Sequence, residues 1–487
     1  MNDSTATALR ELLLQALPLT ADSDTDGVDR NTLFTPTGHR RALEPDVTVV
    51  KGARGVGKTH WFKSLRDDQL REVAADEYQL PRLRSIEPLT GFGSALRPDE
   101  YPTKRTLSSF IREGVEPVDI WTAVTLNALG VASVQSLPTW RERLTWLQQN
   151  PEQVERELSR ADEDAGRRGV TKLVMFDALD RLHTDRRLAD RLSSGILEFA
   201  LELRLSTRNI RAKVFIRHDM LDSAPLNFPD ASKLTANTAD LTWTNADLYG
   251  LLFQHIGNSD MSIAGWFREQ TGSWQDRGDR RLPPRDLVGD RDAQSSAFIL
   301  LAGQYMGTNH RKGHTYTWLP NHLADGNGQT SPRSFLVALS AAAEETARTH
   351  AGHHVPLHWD AIRRGVQRAS SVRVDQVNED IPWVSTAIRP LADSQVPIEQ
   401  PDVIDKWRAA DLTEMLAAHV DSSDDEAEDV EMPRAGPVNP SDYPKLIEEL
   451  IALGVMTRRA NGKLDLPDVY RIAFNIGRKG GVPRVKH

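Results

Sequence analysis

The sequence has no cysteine among its 487 residues. Disulfides, thiolate metal sites and cysteine nucleophiles are therefore excluded. It also lacks any run approaching the roughly 18 consecutive apolar residues of a membrane span, so no membrane partner is expected. The opening MNDSTATALRELLLQAL has neither the basic start nor the small-residue cleavage site of a secretory signal, and it reads as a short amphipathic helix. A cytoplasmic location is the expectation. Excess positive charge is missing too. Lys and Arg number 60 against 69 Asp and Glu, for a formal net charge of -9. That argues against a globally basic nucleic-acid binder and leaves only local basic patches. Internal repeats are absent.

What is present is a phosphate-binding loop. In VTVVKGARGVGKTHW, Val47 to Trp61, a buried-strand pattern runs into a glycine-rich turn and then into Lys-Thr at a helix start. Gly52, Ala53, Arg54, Gly55, Val56, Gly57, Lys58 and Thr59 match G-x-x-x-x-G-K-[ST] in full. Glycines let backbone N–H groups approach phosphate oxygens, and the helix N-terminus adds a favourable dipole. Lys58 is expected to reach the β and γ phosphates of ATP, and Thr59 to ligate Mg²⁺. Arg54 is read as a loop residue facing solvent or a neighbour, with no catalytic role. A second run, KLVMFDALDRL, ends four apolar residues in Asp177. A carboxylate there, at the C-terminal edge of a strand neighbouring the loop, would hold Mg²⁺ through water. Asp180 has two readings of equal weight, general base for an attacking water or N-cap of the next helix.

FDALDRL resembles the second acidic motif of two related groups of P-loop ATPases. These are the signal-transduction ATPases with numerous domains (STAND, including the NACHT type), with Asp-x-Leu-Asp-Glu, and the KAP ATPases, with Asp-x-Leu-Asp-Arg. Asp177, Leu179 and Asp180 fit both; Arg181 departs from the first and agrees with the second. The resemblance spans about Val47 to Trp243 and implies the AAA+/STAND/KAP-like division. Arg217, closing KVFIRHDML, resembles a first sensor that reads the γ-phosphate, or it is an ordinary arginine at a strand end. Arg333, in QTSPRSFLVALSAAAEE, resembles a second sensor that touches the nucleotide from a lid, although proline in a first helical turn is also ordinary helix-start chemistry.

The fold expected is α/β: a P-loop NTPase parallel sheet flanked by helices, then a helical lid and a C-terminal winged-helix-like domain. Four segments are expected. They are 1–45 (N-terminal helix and linker), 46–258 (ATPase core), 259–400 (lid and connecting helices) and 401–487 (winged-helix-like, with the acidic insertion DSSDDEAEDVE). Helix Tyr443–Leu453, capped at Gly454, and a hairpin about Asn461-Gly462 make the last segment. Arg458, Arg459 and Lys463 would decorate its wing, and the tail GRKGGVPRVKH is basic. The function expected is an Mg²⁺-dependent ATPase used as a switch or assembly motor. It would be homo-oligomeric and act with a separate effector protein in a bacterial conflict or anti-phage system. The alternative is a DNA-binding ATPase, loader or initiator-like, that contacts nucleic acid through the C-terminal domain.

Overall fold

Short β-branched runs build one parallel sheet in the computed structural model, which describes residues 3–17, 27–183, 185–224, 226–421, 437 and 439–480. Its strands are β1 Val49–Lys51, β2 Ile86–Phe92, β3 Thr171–Phe176, β4 Ile210–Ile216 and β5 Thr238–Asp240, in the order β2-β3-β4-β1-β5. Every neighbouring pair is parallel. The strands read as apolar runs rather than alternating ones because helices cover both faces. On one face Phe62, from helix Lys58–Arg66, meets Phe215 edge-on at 6.3 Å. On the other, Trp121 of helix Pro117–Ala128 meets Phe176 at 5.7 Å. Phe176 pairs in register with Val214, the residue before Phe215, so the two rings lie on opposite sides.

One strand went unread in the sequence. The stretch 70–112 is rich in proline, and Pro88 falls inside β2. Proline cannot donate to a ladder, but β2 is an edge strand, where it is tolerated. Gly91 is required there, since a Cβ would stand 2.5 Å from the Phe176 ring. The last core strand, Thr238–Asp240, ends just before Leu241. The polar stretch DRGDRRLPPRD carries a small hairpin, Gln275–Arg277 with Arg280–Leu282.

The chain forms two units. Thr35–Thr242 carries the sheet; the N-terminal helix, Asn31–Phe34 and Trp243 onward make the other. Helix Asn245–Gly257 starts with a reciprocal cap between Thr244 and Asp247 and is apolar on nearly every side. Its Tyr249, Leu252 and Phe253 share a core with Phe298, Phe335 and Leu339, and helix Asp3–Ala16 adds Leu9, Leu12 and Leu13 to it. A single stripe of leucines on a 14-residue helix needs such a partner to be stable in water.

The C-terminal module has its own core around Trp383, Trp407, Leu446 and Tyr470. Helix Tyr443–Ala452 ends at Gly454, in the left-handed region at φ 71°. A hairpin follows, pairing Thr457–Arg458 with Leu464–Asp465, and Gly462 makes its turn at φ 83°. The linker residues 20–26, the acidic run beyond Asp421 and the tail beyond Gly480 lie outside the described residues.

Candidate functional site

The loop between β1 and helix Lys58–Arg66 is shaped by its glycines. A Cβ on Gly52 would sit 2.6 Å from Val56 and 3.3 Å from Leu241, so no larger residue fits. Gly57 holds φ at 106°, where side-chain-bearing residues are strained. The helix it opens has no side-chain cap. Lys58 Nζ curls back to donate to the carbonyls of Gly52 and Ala53, each at 2.8 Å. Burial of its ammonium, and then Arg217, lowers its pKa to about 8; Asp177, Asp180 and Asp219 pull the other way.

β4 lies between β1 and β3, so the acidic strand is not β1's immediate neighbour as expected. Asp177 nevertheless reaches the loop. It is 3% exposed, and the Thr59 hydroxyl and the Ala178 backbone N–H lie near enough to favour its charged form. Burial raises its pKa to about 6 against those two donors and Lys58. The chain then turns sharply through Ala178, at φ 56° and ψ 40°. Such a conformation costs a non-glycine residue about 1–3 kcal/mol and is held by its surroundings. The turn puts Asp180 into a short 3₁₀ segment, Leu179–Arg181, within electrostatic reach of Asp177 and Lys58. Asp180 caps no helix. Asp185 does so for Arg186–Ser206, accepting from the N–H groups of Arg187 and Leu188. The capping reading of Asp180 is thereby removed.

The intervening β4 delivers Arg217 between the two motifs. Its guanidinium pairs with Asp219 and lies close enough to Lys58 to oppose its charge. Three consecutive strands thus place Lys58 and Thr59, Arg217, and Asp177 with Asp180 at one edge. Ala53, Arg54, Gly55 and Val56 form the turn of the loop itself, with Arg54 half-buried. Arg333 lies in the first turn of helix Pro332–Thr349, in the other unit.

Two residues that sequence reasoning passed over matter here. Asp219 has no signal beyond its position two after Arg217. His39 has none at all. It is buried, accepts from Trp61 Nε1 at 3.0 Å through Nδ1, and meets the Thr242 carbonyl at 3.1 Å through Nε2. Those roles need a neutral ring, and burial pushes its pKa down to about 3. It ties the phosphate-loop helix to the end of the sheet-bearing unit.

A divalent cation fits the donor set only in company. Among the described residues no group of three or more His, Asp or Glu side chains is placed to hold a metal. Thr59 and Asp177 supply one hydroxyl and one carboxylate, as a phosphate-borne Mg²⁺ requires. The hairpin cations of the C-terminal module are paired internally: Arg458 with Glu448 at 2.6 Å, Arg459 with Asp465 at 2.6 Å, and Lys463 with Glu399 at 2.8 Å. Arg478, in the tail read as basic, is buried against Asp465 and Asp468. No described helix is long and apolar enough to cross a membrane.

Neither a protein-family model nor a curated protein matches the chain. Among solved structures it is similar to the ORC2 protein of Aeropyrum pernix in its ADPNP–ADP complexes. The identity is 13% and the TM-score 0.33, over 93% of this chain and 96% of that one. The ADP form of the same protein aligns at 16% identity and a TM-score of 0.31, over 95% of this chain and 88% of that one. At that distance the α/β architecture stands on the sheet itself: five parallel strands, helices on both faces, and a glycine loop leading from β1 into a helix.

Proposed function

We propose that this chain is an Mg²⁺-dependent ATPase of the AAA+/STAND/KAP-like division that works as a nucleotide-driven switch or assembly motor. One observation carries the reading: Arg217 and Asp177 directly follow two strands of the sheet, and Lys58 opens the helix after the loop that leaves their neighbour β1. Backbone N–H groups of the loop and the Lys58 ammonium bind the phosphates. Thr59 and Asp177 are the residues that would hold Mg²⁺, which neutralises charge on the phosphate oxygens. Asp180 accepts the proton of the attacking water, and Arg217 reads the terminal phosphate. Arg333 is carried as a second sensor on the resemblance of its Pro-Arg helix start alone. The chain acts as a homo-oligomer with a separate effector protein, in a bacterial conflict or anti-phage setting and in the cytoplasm. This placement rests on the motif resemblance alone. The purified protein should release phosphate from ATP with no acceptor added. Stoichiometric transfer to a small molecule would make it a kinase instead.

The alternative, a DNA-binding ATPase, draws on the helix-and-hairpin form of residues 443–465. Arg459 is committed to Asp465, which is 2% exposed. The pairs of Arg458 and Lys463 are more open, and exposed ion pairs are weak enough to be traded for phosphates. Salt-dependent DNA binding that disappears with Arg458→Ala and Lys463→Ala together supports this alternative. No DNA binding at low salt sinks it.

A further inference from the structure

Arg217 does not wait at the phosphate edge with its fork unoccupied. Its Nε and Nη2 donate, each at 2.9 Å, to the two carboxylate oxygens of Asp219. Both side chains are largely withdrawn from solvent, at 13% and 22% exposed. Arg217 immediately precedes helix His218–Ser223, and Asp219 is in that helix's first turn, so the pair closes over two residues with little chain to order. Both charges are felt by Lys58, which places the pair beside the phosphate loop rather than at its periphery.

A guanidinium fork recognises carboxylate and phosphate through the same two parallel N–H groups. Asp219 therefore presents to Arg217 the same kind of two-oxygen face that a terminal phosphate would present. The Nε–Nη2 side of the arginine cannot serve both at once.

We propose that Asp219 is a latch on Arg217: it occupies the face of the arginine that a γ-phosphate would take, so that ATP must displace it and ADP need not. The inference rests on the reading of the loop as an ATP site and adds to it a residue that sets discrimination between tri- and diphosphate. Asp219 is a positioning residue, acting through Arg217 and not on the nucleotide. The apparent affinity for ATP is reduced by the fraction of molecules in which the latch is closed, and the affinity for ADP is not. The ratio of the two affinities is thus the signature, since general loosening of the edge would weaken both nucleotides alike.

The test is a calorimetric titration of the full chain with Mg²⁺ and either ADP or a non-hydrolysable ATP analogue. Asp219→Asn keeps the shape and removes the charge. It should tighten the triphosphate by about fivefold or more and leave ADP within about twofold. Asp219→Glu, which retains a carboxylate, should hold the ratio near that of the wild type. In an Arg217→Ala background, Asp219→Asn should leave the ratio unchanged. A latch is ruled out if Asp219→Asn shifts both nucleotides equally, weakens the triphosphate, or gives the same gain without Arg217. Should the wild type bind neither nucleotide, the ATP reading fails and the latch with it. Binding of both with a ratio indifferent to residue 219 overturns the latch alone.

Discussion

Two lysines are drawn out of water by the same sheet, and they are treated differently. Lys213, on β4, is fully buried, and its Nζ donates to three carbonyls: Ala42 at 2.8 Å, Glu44 at 3.0 Å and Val47 at 2.8 Å. An ammonium has three donors, so Lys213 is saturated. Lys58, in the glycine loop, donates to two carbonyls of its own loop, and among the described residues no third acceptor is placed on it. Burial lowers both, Lys213 to about 7 and Lys58 to about 8. A buried charge is therefore not by itself a functional signal. A saturated ammonium pins the segment before β1, while an unsaturated one beside an uncapped helix start is equipped for an anion.

The comparison breaks most visibly through Lys213→Met. That change leaves three carbonyls without their donor and should lower stability by about 2–4 kcal/mol. ATP turnover per folded molecule should stay within about twofold, because the phosphate edge is untouched. Denaturant melts alongside phosphate release check both halves. A stable variant would mean that the segment before β1 is held by other contacts.

A smaller effect is expected at the chemistry itself. Asp180→Asn should slow hydrolysis by about tenfold to a hundredfold with nucleotide affinity nearly intact. Single-turnover rates read against binding titrations separate the two, and a wild-type rate would remove Asp180 from the reaction.

The gentlest probe is pH. Lys58 carries its proton below about 8 and loses it above. Bound phosphates favour the ammonium, so nucleotide affinity should be greatest below that value and fall as pH rises through it, by at most about tenfold per pH unit. Arginine at position 58 would not titrate there, so Lys58→Arg should bind with a flat profile over the same range, even if more weakly. A decline that survives this substitution would assign the titration to another group.

The local form of the loop and of the strand ends was more legible in the sequence than the architecture around them. GARGVGKT is legible because each residue answers a local demand: positive φ at Gly57, no room for a Cβ at Gly52, a helix start at Lys58. Asp177 and Arg217 are legible because a buried strand shows as an apolar run and the residue after it marks the sheet edge. Strand order left no local trace, so the placement of Arg217 between the two motifs came only with β4 lying between β1 and β3. β2 was hidden by Pro88, which is tolerable only at an edge the sequence does not announce. The partner of helix Asp3–Ala16 was equally silent, because its leucines reach residues more than two hundred positions away. His39, Asp219 and Lys213 owe their roles to burial and to partners brought in by the fold.

The central claim is that Lys58, unlike Lys213, is there for the nucleotide. Its most direct test is steady-state ATP turnover by Lys58→Ala, measured on protein shown to be folded by its thermal melt. Turnover should fall on the order of a hundredfold or more, with a melting temperature close to the wild type. Undiminished turnover, or a loss fully explained by unfolding, would contradict it.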